Sequence, residues 1–160
     1  MIAAKAENLL LRPSSLGALA LLALNDHVLK ARFPGFWTGK LSDFAGLYFF
    51  PFFLLAVAML APKAPGSRRT LATACVLTAL LFSCVNLSPT ASDIYEHVVG
   101  EAWRLLGAAR RIRHVADAED LIALPMVAVA YLVGATALER TDRNAREPHC
   151  PAPVARRQYR

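Results

Sequence analysis

The sequence predicts an all-α membrane protein with four transmembrane helices and one amphipathic helix at the membrane surface. Three observations carry this expectation. Hydrophobic residues make up 56% of the 160-residue chain, with a mean hydropathy of +0.37; soluble domains hold roughly 45–50% apolar residues. Charged residues are 19% of the total, and they gather between apolar runs instead of alternating with them. The runs are also long: 44–61 and 121–138 hold 18 uncharged residues each, and 71–87 holds 17. At about 1.5 Å per helical residue, the longer runs cover about 27 Å of a roughly 30 Å hydrocarbon core.

The first span is the least regular. Its apolar centre, 16–24, is only nine residues. It lengthens to 8–30 if Leu9, Leu10 and Leu11 lie inside, Arg12 snorkels to the headgroups and Val28 and Leu29 continue the other end. Pro13 then falls in an early turn, where it costs little. A secretory signal peptide is the competing reading. Lys5 and Arg12 precede the apolar centre, but its end at Leu24, Asn25 and Asp26 offers no small-x-small cleavage site.

The second span, 44–61, contains Pro51, which frees the Leu47 carbonyl and favours a kink. Thr73, Thr78 and Ser83 are tolerable in the third span, 71–87, because hydroxyls bond back to helical carbonyls. The fourth, 121–138, has Pro125 near its start and Tyr131 inside. Between the third and fourth spans, 93–113 is periodic: Ile94, Val98, Ala102, Leu105, Ala109 and Ile112 form one stripe. Asp93 and Glu96 resemble a capping pair at its start, and Trp103 is suited to headgroup depth. This segment reads as a helix on the membrane surface or packed over the bundle. From 141 to 160 the chain is rich in Arg and Pro and poor in large apolar residues, which predicts a disordered basic tail.

Orientation follows from Lys and Arg. With the N-terminus inside, the inner segments hold eleven of them and the outer segments seven. This places both termini in the cytoplasm. The same arrangement explains the net charge of +6 as topology and excludes a nucleic-acid partner. Cys75, Cys84 and Cys150 have no CxxC spacing, so they predict neither a disulfide framework nor a metal site.

The polar residues at the span ends fall mostly on the outer face. His27, on a helix, shares a side with Ala23, Ala20 and Leu16. Those small residues admit a close neighbour, so His27 is expected to face protein, as a packed histidine or as an acid–base group. Asp26 and Lys30 are i,i+4 partners. Asp43 has two accounts. With Ser42 as N-cap it is a first-turn acid favoured by the helix dipole; otherwise it faces inward above Gly46, which allows close helix contact, and pairs with Lys40. The loop 33–40, with Pro34, Gly35 and Gly39, is expected to turn and to fold back over the site. Its TGK triplet lacks the upstream glycine of a P-loop. Asp93 and His97 at i,i+4 are too few for a metal site.

The string TGKLSDFAGL, preceded by NDHVLK and followed later by DLIALP, resembles a group of small bacterial multi-span membrane proteins of unassigned activity. The similarity covers about 16–138. It implies a bacterial inner membrane and points to His27, Lys30, Lys40, Asp43 and Asp120.

Two functions from different classes follow. One is a non-enzymatic integral membrane protein whose outer polar cluster is structural or docks a membrane-protein partner. The alternative is an enzyme acting on a lipid-linked or phosphate-bearing substrate at the outer leaflet. There His27, Asp43 and Asp120 are the catalytic candidates, and Lys30, Lys40 and Asn86 the substrate-binding ones. Asp43 and Asp120 would hold a divalent metal or orient His27. The sequence names no cofactor. An ion or proton carrier through Asp26, His27 and Asp43 is the weakest reading, because the polar residues stop at the membrane edge.

Overall fold

The computed structural model describes residues 9–33, 35–61, 66–105, 107 and 116–146. They form an all-α fold, with no strand among them. Helix α1 is Pro13–Leu24, followed by a π-helical turn at Asn25–Leu29 and a short α2 at Lys30–Arg32. Helix α3 is Phe36–Ala58, α4 Arg68–Leu87 and α5 Pro89–Leu105. A 3₁₀ segment, Ala118–Ala123, leads into α6, Pro125–Arg146.

Three helical stretches are long and apolar enough to cross a membrane: Phe36–Ala58, Arg68–Leu87 and Ala118–Asn144. The expected first span is not among them; α1 itself has 12 residues and is followed directly by the π-turn. Only 28–33% of the apolar window in each of the three is buried within the protein. Leu77, Leu80, Leu81, Val129 and Leu132 are among the large side chains left exposed. Such outward apolar surface is what a lipid environment accommodates.

Helix α3 is the hub and packs against α1, α4 and α6; α4 also packs against α6 and α5. The core joins Leu47, Phe52 and Leu55 of α3 to Leu71 and Cys75 of α4 and to Val127, Ala130 and Leu138 of α6. Gly134 is the point of closest approach. A Cβ there would stand 2.6 Å from Leu71 Cδ2 and 2.9 Å from Phe52 Cε1. Ala130 precedes it by one turn, and this small-xxx-small pair lets three helices meet.

Several element boundaries differ from the sequence expectation, each for a local reason. Helix α3 starts at Phe36, not at 44, because Thr38 closes its first turn. The Thr38 hydroxyl accepts from Gly35 N (3.2 Å) and lies 2.9 Å from Gly35 O and 3.1 Å from Phe33 O. The expected loop 33–40 is therefore mostly helix. Ser42 and Asp43 lie inside α3, so Ser42 is not its N-cap and Asp43 is not a first-turn acid. The helix continues through Pro51, which is fully buried.

Helix α4 starts at Arg68, where Ser67 Oγ accepts from Thr70 N (3.3 Å). Helix α5 starts at Pro89, not at 93. A proline suits the first helical position, and the residue before it is held extended. Ser88, at φ −124° and ψ 116°, therefore turns α4 into α5 within one residue. Asp93 and Glu96 therefore lie inside α5, not at its start. Gly107, at φ +80°, closes the chain after α5, its N–H bonding to Arg104 O at 2.9 Å.

Over 94–105 the expected stripe on α5 lies on one side of the helix and faces outward. Ile94 and Val98 are each 60% exposed and Leu105 is 88% exposed, while Ser92 is buried on the opposite side. Helix α6 runs on through Arg146, so the first residues of the expected disordered tail are helical. Residues 147–160, 108–113 of the expected surface helix and the start of the expected first span lie outside the described residues.

Candidate functional site at one end of the bundle

Antiparallel packing brings the end of α1, the start of α3, the end of α4 and the 3₁₀ entry to α6 to one end of the bundle. Polar residues in these four places form one connected patch. Its centre is Lys40, which is 5% exposed. Its ammonium bonds to Asp120, 80 residues later, and stands 3.7 Å from Asp117. It also lies 5.0 Å from the centroid of the Phe36 ring, a cation–π arrangement one helical turn away. Asp43, one turn further along α3 and half-buried, lies against Asp120 and interacts with Lys40 and Lys30. One lysine thus faces three carboxyl groups.

Asp117 does two jobs. Its carboxylate also accepts from Glu119 N (2.9 Å) and caps the 3₁₀ segment. This cap fixes the chain direction that delivers Asp120 to Lys40. A buried ammonium without a partner would be costly in an apolar bundle, so the Lys40–Asp120 contact locks α3 to α6.

The second half of the patch is built on the π-turn. Asn25, fully buried, donates from Nδ2 to Thr38 O (2.5 Å) and to Ser42 Oγ (2.7 Å). Ser42 in turn donates to Asp26 Oδ1 (2.8 Å), and Lys30 pairs with Asp26 at 2.7 Å as the i,i+4 spacing predicts. The Lys30 N–H reaches back to Asn25 O, the i→i−5 bond of the π-turn. Such turns frequently mark places where a helix must aim a side chain. Asn25 Oδ1 is buried without a hydrogen-bond partner.

His27 is not in this network. It is exposed, as are Ala23, Ala20 and Leu16 on its side of α1. The packed side is Ser15, Ala18, Leu22, Asn25 and Leu29. At about 100° per residue, Asn25 and His27 are about 200° apart, so the expectation that His27 faces protein is corrected. Asn25 takes that place. The signal that identifies it is the seven-residue spacing of Ser15, Leu22 and Leu29, interleaved with that of Ala18 and Asn25.

Asn86 is 3% exposed near the end of α4; its Nδ2 donates to Phe82 O (3.0 Å) and its Oδ1 has no hydrogen-bond partner. It lines a cleft between α3 and α4 with Asp43 and Gly46. Gly46 was expected to sit against another helix, yet nothing lies within 4 Å of a Cβ built there. It opens on the cleft instead.

Of the six residues picked from sequence, Lys40, Asp43 and Asp120 are in mutual reach, Asn86 lies across the cleft from Asp43, Lys30 belongs to the Asp26 arm and His27 is apart. Among the described residues no three His, Cys, Asp or Glu groups are placed to hold a metal ion. At the opposite end, Arg68 pairs with Glu139 and ties α4 to α6.

No protein-family model, no curated protein and no solved structure matches the chain.

Proposed function

We propose that this chain is a non-enzymatic, multi-pass protein of the bacterial inner membrane, an accessory component that docks a membrane-protein partner. In this reading α1, the π-turn and α2 form a fourth crossing. Residues 13–32 are continuously helical, and 20 residues at about 1.5 Å each reach about 30 Å. Helix α5 lies in the interface with Ile94, Val98 and Leu105 in the acyl boundary. Both termini are cytoplasmic, which sets the polar patch at the outer face.

The observation that carries the reading is that both lysines of the patch are already engaged by carboxylates. Lys40 is held by Asp120 and Asp117, and Asp26 by Lys30 and Ser42. These contacts fix helices against each other and leave the lysines engaged. Beside the patch, Phe33, Phe36 and Trp37 make an apolar knuckle, and Trp37 is 83% exposed. A partner helix would cover that knuckle.

The alternative enzyme at the outer leaflet, with His27 as acid or base and Lys30 and Lys40 on phosphate, has less support. His27 points away from Asp43 and Asp120, and both lysines already pair with carboxylates.

The test is site-specific photocrosslinking in cells from position 37, with position 80 as a lipid-facing control. A discrete protein adduct from position 37 alone is expected. Adducts to lipid only, from both positions, refute the docking role. Topology is checked in a background without Cys75, Cys84 and Cys150: Trp37→Cys and Arg104→Cys should label from outside and Leu60→Cys only after permeabilisation. Labelling of Leu60→Cys from outside would invert the orientation.

A further inference from the structure

The end of the bundle away from the polar patch carries arginines from two helices. Arg68 and Arg69 open α4, and Arg140 and Arg143 lie near the end of α6. The two helices pack against each other in opposite directions, and Arg68 pairs with Glu139 across the contact. That pair fixes where its neighbours point. At about 100° per residue, Arg69 and Arg140 each stand one step further round from it. Because the helices are antiparallel, both steps go to the same side. Leu71 and Leu138 lie on the other side, in the core. Arg69 and Arg140 therefore flank the outer groove between α4 and α6, and both are exposed.

Further along, the same groove is apolar. Val76 follows Arg69 by seven residues on α4, and Val129 precedes Arg140 by eleven on α6. These spacings are close to whole turns, so both valines share the side of the arginines, about 10 Å and about 16 Å deeper. Both are exposed. The charge at the mouth has no counterpart. Glu139 is taken by Arg68, and among the described residues Arg69, Arg140 and Arg143 enter no ion pair. Orientation in a membrane asks only for positive charge somewhere in each inner segment. It does not ask that arginines from distant parts of the sequence converge on one groove. A guanidinium fork matches phosphate oxygens two at a time.

We propose that this groove binds one anionic phospholipid, its phosphate between the guanidinium groups of Arg69 and Arg140 and an acyl chain along Val76 and Val129. Arg143, one turn beyond Arg140, adds positive charge at the mouth. The site rests on the membrane-crossing reading and not on the docked partner. Loss of lipid preference and loss of crosslinking at position 37 are separate results, so the two readings fail separately.

The test uses the full chain in nanodiscs with equal amounts of phosphatidylglycerol and phosphatidylethanolamine of identical chains, read by native mass spectrometry of retained lipid. Both lipids carry a phosphate, so the ratio reports the net negative charge. Phosphatidylglycerol should be retained about fivefold over phosphatidylethanolamine, the scale of one arginine beside an anionic surface. Arg69→Gln with Arg140→Gln should bring the ratio close to one. Both side chains are exposed, so the substitutions leave the packing intact. Arg32→Gln with Arg104→Gln removes the same charge elsewhere and should leave the ratio unchanged. Equal retention by the unaltered chain overturns the assignment. So does a preference that survives loss of the groove arginines, or one that the second pair abolishes equally. Release of the lipid by added inorganic phosphate would show a site for the free anion instead of a lipid, and also overturns it.

Discussion

Gly134 offers the sharpest quantitative test of the packing. An alanine Cβ there would lie 2.6 Å from Leu71 Cδ2 and 2.9 Å from Phe52 Cε1. Comfortable carbon contacts are about 3.5–4.0 Å, so Leu71 must retreat by about 1 Å and Phe52 by somewhat less. Both are 0% exposed, and neither has solvent to move into. Overpacking of this kind costs about 1–3 kcal/mol. Against it stands the helix preference of Ala over Gly, about 0.8–1 kcal/mol. Gly46→Ala isolates that second effect, since nothing lies within 4 Å of it.

Gly46→Ala should therefore be neutral to stabilising, and Gly134→Ala should be less stable than it by about 1–3 kcal/mol. Gly134→Val adds two methyl groups in the same place and should be worse. The assay is reversible unfolding in mixed micelles, followed by far-UV circular dichroism across an SDS titration. If Gly134→Ala matches or exceeds Gly46→Ala, the close three-helix contact of α3, α4 and α6 is wrong.

Three further outcomes are expected. Asn25→Ala removes two hydrogen bonds and should destabilise by about 1–3 kcal/mol, whereas His27→Ala should stay within about 0.5 kcal/mol; the same titration ranks them, and the reverse order would restore His27 as the inward residue. Lys40→Met leaves Asp43, Asp117 and Asp120 facing one another and should lower the thermal midpoint, while Asp120→Asn added to it should recover part of the loss; strictly additive losses in the double-mutant cycle would mean that the pair is not coupled. With Trp37→Phe in place, Trp103 fluorescence should be quenched by shallow brominated lipids, and Ile94→Asp with Val98→Asp should remove that quenching. Unchanged quenching would place the α5 stripe away from the interface.

The sequence alone was enough for the three long apolar helices, for the i,i+4 pair of Asp26 and Lys30, and for the collection of polar residues at one end. These depend on length, composition and spacing, and the rise of an α-helix converts them directly into position along the membrane normal. Rotation about each helix axis was not legible. In a membrane protein the side facing lipid and the side facing protein are both apolar, so a span shows little hydrophobic asymmetry; α1 and α3 have almost none. Two residues of error on α1 exchange Asn25 for His27. The outward turn of the α5 stripe, the opening of Gly46 on a cleft and the approach of Lys40 to Asp120 across 80 residues likewise depend on how α3, α4 and α6 settle against each other. The close contact at Gly134, with Leu71 and Phe52 filling the space a side chain would take, helps set α3, α4 and α6, while Asn25 on Thr38 and Ser42 sets α1 against α3.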